Sequence, residues 1–258
     1  YKTVFVMADK QSQEKIDNLK AFGGKVIVCP TNVAPEDPRS YYSVAASLKS
    51  MPNSFHINQY ENIYNGECHY TQTGPEILEQ TEGKFDTFMA SVGTGGTISG
   101  VGKFLKEKMD NVKVVGVDCE GSILAHYKKT GEMIEGSSYV LEGIGEDFLP
   151  GNVNFDVIDD FVVVGDEESF QMTRRLVKEE GVYSGGSAGA AIVGAIRYAE
   201  KLEKPEKILV VLHDSGNNYS SKIYNDAWMK DMGYKVDTSN DEVDELILKT
   251  IGDNGKLV

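Results

Sequence analysis

The chain has 258 residues, 40% of them hydrophobic, which is enough for one large α/β domain or two smaller lobes. A formal charge of -14 argues against nucleic acid or an anionic membrane as partner, because both are captured by clustered Lys and Arg. Three separated cysteines, no apolar run of membrane-spanning length and no signal peptide exclude a disulfide framework and favour a cytoplasmic protein.

The first part of the chain alternates strand and helix patterns. Apolar, β-branched runs at residues 3–8 and 25–29 predict two strands, and the helical spacing between them predicts a helix that Ser12 caps. A helix is predicted at residues 42–51, a short strand at 55–57 and a second helix at 76–80. This order is typical of βαβ units.

The remainder continues the alternation around two glycine-rich loops. The first loop, SVGTGGTISG at residues 91–100, follows a predicted strand and opens a helix to about residue 108. The second, SGGSAG at 184–189, opens an alanine-rich helix. Other strands are predicted at 112–117, 157–164 and 207–212, with a helix at 169–180. The alternation predicts a mostly parallel sheet covered by helices on both faces.

The first loop has the composition of a phosphate site. A glycine turn between strand and helix directs backbone N–H groups and the positive end of the helix dipole at one spot. It fits neither the dinucleotide fingerprint, whose third glycine falls on Ile98, nor a Walker A loop, because Phe104 replaces the required Ser or Thr. The pattern predicts a monophosphate cradle with Thr94 and Thr97 as extra donors. A tight turn without a ligand is the alternative.

In the second loop the central Ser187 is compatible with two roles. A serine at the start of a helix is a preferred N-cap. The same hydroxyl is also free to contact a ligand, and the pattern alone does not decide between the two roles.

Five separated motifs, in order, resemble the cystathionine β-synthase family. They are GTGGT at 93–97, GVDCEGSIL at 116–124, EGIGEDFLP at 142–150, GGSAG at 185–189, and DSGNNY at 214–219 followed by DAWM at 226–229. The resemblance covers about residues 3–236 and places the chain among pyridoxal-phosphate enzymes of the tryptophan synthase β type. It implies the fold type II architecture, a two-lobed, three-layer αβα fold with mostly parallel twisted sheets.

The resemblance also implies a division of the chain. Residues 1–60 would form the remainder of a small mobile lobe, and residues 61–236 the large cofactor-binding lobe. The acidic residues 237–258 would be a tail or linker. A homodimer is implied in the same way.

Site residues follow from the resemblance as well. It implies that the cofactor phosphate lies on Gly93, Thr94, Gly95, Gly96 and Thr97. Ser187 would hydrogen-bond the pyridine nitrogen, and Gly143 and Gly145 would line the ring and the substrate carboxyl region.

Two more residues are assigned to substrate by the resemblance. Tyr60 would stand near the substrate entrance, with an ordinary buried aromatic as the alternative. Glu120 would face the second substrate, with a solvated carboxylate as the alternative. Glu146 differs from the tyrosine of some animal members, and the four histidines are expected to be structural or surface residues.

The implied reaction is β-replacement, which condenses serine with homocysteine to cystathionine through an aminoacrylate. Cysteine synthase, acting on O-acetylserine and sulfide, is the close alternative. The family's Schiff-base lysine and its substrate-carboxylate loop match no residue here, since both would precede residue 1, and the catalytic residue is therefore unknown. Lys10 and Lys15 resemble a surface lysine pair. A catalytically dead module that binds pyridoxal phosphate or a partner protein is the third possibility.

Overall fold

The computed structural model describes residues 1–236 together with residues 247, 249 and 250. Apart from those three residues, the predicted tail at 237–258 lies outside the described part. The strands are β1 Val4–Ala8, β2 Lys25–Cys29, β3 Thr87–Ser91, β4 Lys113–Cys119, β5 Asp160–Val164 and β6 Ile208–Val210.

The helices alternate with these strands. They are α1 Gln13–Ala21, α2 Tyr41–Leu48, α3 Tyr64–Cys68, α4 Gly74–Thr81, α5 Gly96–Lys108, α6 Leu124–Thr130, α7 Asp166–Glu180, α8 Gly186–Ala199 and α9 Asp226–Asp231. A π-helical turn, His69–Thr73, joins α3 to α4, and Gly216–Asn218 forms a short 3-10 helix.

The strands form two parallel sheets. The larger has the order β5-β4-β3-β6, and the smaller consists of β1 and β2 paired from Val4 with Lys25 to Ala8 with Cys29. The predicted parallel α/β architecture is confirmed. The two sheets fall on either side of residue 60, and the lobe boundary itself stays a prediction.

Helices cover both faces of the larger sheet. Side chains alternate along β3, so that Met89 packs beneath α7 and α8, whereas Phe88 and Ala90 pack toward α5. All five residues of β3 are buried, which explains its continuous apolar character. Parallel strands end at the same edge of a sheet, and this edge carries the loops described below.

Helix α1 ties the two sheets together. Glu14 accepts hydrogen bonds from the Ser220 hydroxyl and from the backbone and hydroxyl of Ser221, at 2.6 to 2.9 Å. Lys15 Nζ lies 2.7 Å from Glu142 Oε2. Ser12 precedes α1 as predicted, yet its side chain makes no capping bond, and its N–H donates to Glu142 instead.

The strand predicted at 55–57 is wrong. The segment has no regular structure, and Phe55 and Ile57 are exposed. Asn53 and Asn58, on either side, have φ of 57° and 49°, so the chain turns before and after the apolar residues. Helices α3, α6 and α9 are short and carry no long apolar stripe, and the sequence patterns missed them.

Candidate functional site

A cavity of about 1370 Å³ lies between the two sheets, at the carboxyl ends of β1, β2 and β3. One wall comes from the loops after β1 and β2 and from the start of α2. The opposite wall comes from the first glycine loop and from residues 143–147. This position at the carboxyl ends of parallel strands is where α/β folds bind ligands.

The first glycine loop presents a helix N-terminus to the cavity. Gly95 precedes α5 with φ of 86°, a conformation that disfavours any residue with a side chain. Gly93, Thr94, Gly95 and Thr97 line the cavity, and the first amides of a 13-residue helix have no acceptor within the helix. Loop amides, helix dipole and two hydroxyls together fit a phosphate group.

Packing also requires these glycines. A Cβ on Gly95 would lie 2.3 Å from Val153 Cγ2, and one on Gly96 would lie 2.0 Å from Asn65 Oδ1. Gly96 is buried and does not line the cavity, unlike the other four residues assigned to the phosphate. The assigned contact of Gly96 with the phosphate stays a prediction.

Asn65 and His69 hold the threonines of this loop in place. Asn65 Nδ2 donates to Thr94 Oγ1 at 3.1 Å, and His69 Nε2 lies 3.2 Å from Thr97 Oγ1. Sequence reasoning missed both supports. Their i, i+4 spacing would have indicated one helix face, had α3 been predicted.

Gly143 and Gly145 form a flat part of the cavity wall. Both have φ of 76°, and Gly145 N–H donates to Val92 O at 2.8 Å, which fixes the segment beside the end of β3. A Cβ built on Gly143 meets no atom within 4 Å, so the space over it is open to a planar group. The residues present thus fit a phosphorylated ring whose phosphate lies on the first glycine loop.

Ser187 is not the N-cap of α8. The helix begins at Gly186 after Gly185, so Ser187 lies in the first turn, where it is buried. Its carbonyl accepts a 2.7 Å hydrogen bond from Ser91 Oγ, and Ser91 lines the cavity. The structure brings Ser187 next to the end of β3, one residue from the cavity wall. Its contact with a ring nitrogen stays a prediction.

Tyr60 lines the cavity within an aromatic cluster. Its hydroxyl lies 3.2 Å from that of Tyr41, and its ring meets Phe148 edge-on at 5.1 Å between centroids. Burial raises the pKa of Tyr60 and, more strongly, that of Tyr41. Both readings of Tyr60 are therefore compatible with its position.

Glu120 is placed away from the cavity. It follows β4, its N–H donates to Val164 O, and its side chain is exposed. Its carboxylate faces Gly165 rather than the cavity. The neighbouring Ser122 instead contacts the backbone of the cavity residue Glu146.

The expected surface lysine pair is wrong. Lys10 lines the cavity, with Nζ 4.0 Å from the centroid of the Tyr139 ring, and burial lowers the pKa of its ammonium. Lys15 forms an ion pair with the buried Glu142. The sequence predicted a polar first turn of α1. It did not show that this turn contacts Glu142 and Ser221, which are distant in sequence.

The histidines were expected to be structural or surface residues, and His213 is exposed. His213 lines the cavity and is accessible from it, although surrounding protein lowers its pKa by desolvation. His69 has a structural role, as predicted, and the residue it supports is Thr97 of the first glycine loop.

Several absences hold for the described residues. Cys29, Cys68 and Cys119 are free, and no cluster of His, Cys, Asp or Glu there suits a metal ion. None of the helices described is both long enough and apolar enough to cross a bilayer.

Comparisons with known proteins identify the family. A family described as pyridoxal-phosphate dependent enzymes matches residues 1–214. Cystathionine beta-synthase of Dictyostelium discoideum is 45% identical over 235 residues, 91% of this chain and 47% of that protein. Cysteine synthase of Staphylococcus aureus strain Mu50 is 39% identical over 222 residues, 86% of this chain and 69% of that protein.

A solved structure is also similar. The O-acetylserine dependent cystathionine beta-synthase from Helicobacter pylori matches with a TM-score of 0.77 and 35% identity, over 87% of this chain and 71% of that one. The chain spans about half the length of the curated cystathionine beta-synthases it matches.

Proposed function

Because the chain belongs to the pyridoxal-phosphate dependent enzyme family, we propose that the protein containing it catalyses a β-replacement on an amino acid such as serine, with homocysteine as the thiol acceptor. The observation that carries the proposal is the first glycine loop, whose amides face a cavity with an open glycine wall at Gly143. Similarity to cystathionine beta-synthases supports the choice of acceptor.

The cavity wall formed by the first glycine loop and residues 143–147, together with the buried Ser187, would hold the cofactor. Residues 93–97 would bind the phosphate, Gly143 and Gly145 would line the ring and the substrate carboxyl region, and Ser187 would meet the pyridine nitrogen. When bound, pyridoxal phosphate supplies an electron sink for the negative charge left at Cα after a proton is removed. A neutral serine hydroxyl keeps that nitrogen less positive than a carboxylate would.

The other cavity residues act on the substrate. Tyr60 and its aromatic neighbours close the entrance with apolar ring surface, which excludes water from the reacting atoms. Helix α1 connects the small sheet to the large one through Glu14 and Lys15, contacts that would align the two walls when the cavity is closed. Movement of the small lobe over the cavity is part of the proposal.

O-Acetylserine with sulfide is the alternative pair of substrates. Similarity to the Staphylococcus aureus cysteine synthase and to the O-acetylserine dependent enzyme of Helicobacter pylori supports it. Assays of the full-length protein with serine plus homocysteine, and with O-acetylserine plus sulfide, decide between them. Cystathionine formation from the first pair is expected, and product from the second pair alone would overturn the proposal.

A binding module without catalysis is tested by borohydride reduction. We expect reduction of the full-length holoenzyme to trap the cofactor on a lysine outside residues 1–258, because no lysine here matches the family's position. Peptide mapping by mass spectrometry locates the adduct. An adduct on Lys10 would contradict this assignment, and no adduct at all would favour the module.

We further propose that the protein is a homodimer in the cytosol. The support is the likeness to the family and the low cysteine count, and light scattering of the full-length protein gives the oligomeric state. A monomer at micromolar concentration would overturn that part.

A further inference from the structure

Glu146 is a buried carboxyl in the cavity wall that the proposed function leaves without a role. It exposes 9% of its surface and lines the cavity beside Gly145. Its backbone is fixed on both sides: its N–H donates to Ser122 Oγ at 3.0 Å, and its carbonyl accepts from Ser122 Oγ and from Ile123 N–H. The side chain therefore starts from a rigid position.

The described groups that face this carboxyl include no ion-pair partner. Tyr42 donates to Oε2 at 3.2 Å. Asp147 and Asp118 are acidic neighbours, and Lys10 is the basic group near enough to act on it. Within the described part of the chain, no lysine or arginine forms an ion pair with Glu146. Hydroxyls of Tyr41, Tyr60 and Tyr139 complete the surroundings.

Glu142, four residues earlier, differs from Glu146 in having ion-pair partners. It is also buried, but it pairs with Lys15 and with Lys222, each at 2.7 Å. A buried carboxylate is expected to carry such partners. Glu146 lacks them and faces a cavity, so a cation that enters the cavity would supply the missing partner.

Burial raises the pKa of Glu146 to about 8, and Asp147 adds to this effect, whereas the Tyr42 hydrogen bond and Lys10 oppose it. At pH 7 the carboxyl is accordingly mostly protonated. A cation bound beside it favours the ionised form, so the proton leaves when the cation binds.

We propose that Glu146 recognises the α-ammonium group of the thiol acceptor, and that the acceptor is therefore an amino acid rather than sulfide. This inference rests on the proposed function. The amino group of the first substrate is consumed in its bond to the cofactor, whereas an amino-acid thiol keeps a free ammonium. Binding then exchanges one proton: the Glu146 carboxyl loses H⁺ to solvent, and its carboxylate pairs with the ammonium.

A kinetic experiment isolates the ammonium. The full-length holoenzyme is assayed with homocysteine and with 4-mercaptobutanoate, which has the same thiol and carboxylate but no amine. Glu146→Gln is expected to raise KM for homocysteine about tenfold and to leave KM for 4-mercaptobutanoate within about twofold, because loss of one charge-assisted pair costs about a factor of ten. Turnover of the second thiol shows that the variant is folded.

The matched control is Glu132→Gln, the same change at an exposed carboxylate on the loop after α6. It is expected to alter neither KM. Equal rises in KM for both thiols in Glu146→Gln would overturn the inference, since the ammonium would then play no part.

Calorimetry separates this inference from the proposed function. Homocysteine is titrated at pH 7 into borohydride-reduced holoenzyme, which cannot form a new bond to the amine, in phosphate and in Tris. The dependence of heat on buffer is expected to show close to one proton released per ligand in the wild type and none in Glu146→Gln. Equal proton release in both proteins would contradict the role of Glu146, even if no thiol is turned over. Absence of turnover with a normal proton release would instead contradict the proposed function.

Discussion

The two glycine loops share a sequence pattern but differ in their surroundings: the first lines the cavity, and the second is buried in the protein. In the first, Gly93, Thr94 and Thr97 are half-buried and line the cavity. In the second, every residue from 184 to 190 is buried, and none lines the cavity. Cβ atoms on Gly185 and Gly189 would lie 2.1 Å from side-chain oxygens of Asp214 and Thr173.

The difference shows that a glycine-rich helix start has two separate physical causes. In the first loop the backbone must turn with positive φ and present its amides to a ligand. In the second loop α8 approaches α7 so closely that no side chain fits between them. We propose that the first loop binds the cofactor phosphate, whereas the second packs α8 in place and leaves Ser187 buried beside the end of β3.

The largest effect is expected from Gly189→Ala. Its Cβ would lie 2.1 Å from Thr173 Oγ1 and 2.2 Å from Ser169 O, and backbone cannot move aside cheaply. We expect the free energy of unfolding to fall by about 3 kcal/mol, measured by denaturant titration. Gly131→Ala is the control, because it meets open space and carries only the left-handed strain of about 1 kcal/mol. Equal losses in both variants would show that packing does not explain the second loop.

An intermediate effect is expected from Thr97→Val in the first loop. The variant removes a hydroxyl donor that faces the cavity, so the Kd for pyridoxal phosphate should rise about tenfold with little change in stability. Cofactor is titrated into the stripped protein and followed by absorbance.

Ser184→Ala, in the second loop, is the matched control for that titration. The Ser184 hydroxyl is buried without a hydrogen-bond partner, and its removal should leave cofactor affinity unchanged. A larger loss of affinity in Ser184→Ala than in Thr97→Val would reverse the roles of the two loops.

The smallest effect concerns pH. Burial lowers the pKa of His69, which supports Thr97, below its usual 6.5. The unfolded chain therefore binds the proton more readily, so stability present above pH 6.5 is lost as pH falls through that value. His69→Gln should lose less stability than the wild type between pH 7 and 5, in thermal unfolding. An identical pH dependence in both proteins would remove His69 from the support of the first loop.

Much of the fold was predictable from the sequence. Strands β1 and β2 are apolar, β-branched runs, and helix α5 follows a glycine loop, so local pattern places both strands and the end of α5 within one or two residues. Helix α3 was missed because Tyr64 is exposed and no apolar stripe marks it. The segment at 55–57 has the apolar residues of a strand, and a strand was therefore predicted. The sequence does not show whether a neighbouring strand is available to pair with this segment, and in the structure it forms no strand.

The candidate site divides in the same way. Thr94 and Gly95 line the cavity, as the local glycine pattern led us to expect, and their contact with a phosphate stays a prediction. The positions of Lys10, Glu146 and His213 in the cavity depend on contacts between distant segments, and the motifs beside Glu146 and His213 assigned no role to these two side chains. Glu120 was assigned to the substrate from the motif around it, but its exposed side chain faces Gly165, and neither Glu120 nor residues 119, 121 and 122 line the cavity.

The position of the phosphorus atom in a crystal structure of the full-length protein with pyridoxal phosphate tests the central claim most directly. We predict phosphate oxygens within about 3.2 Å of the backbone amides of residues 93–97, with the pyridine nitrogen toward Ser187. A phosphate held by residues 185–189, or outside the cavity between the two sheets, would contradict the account.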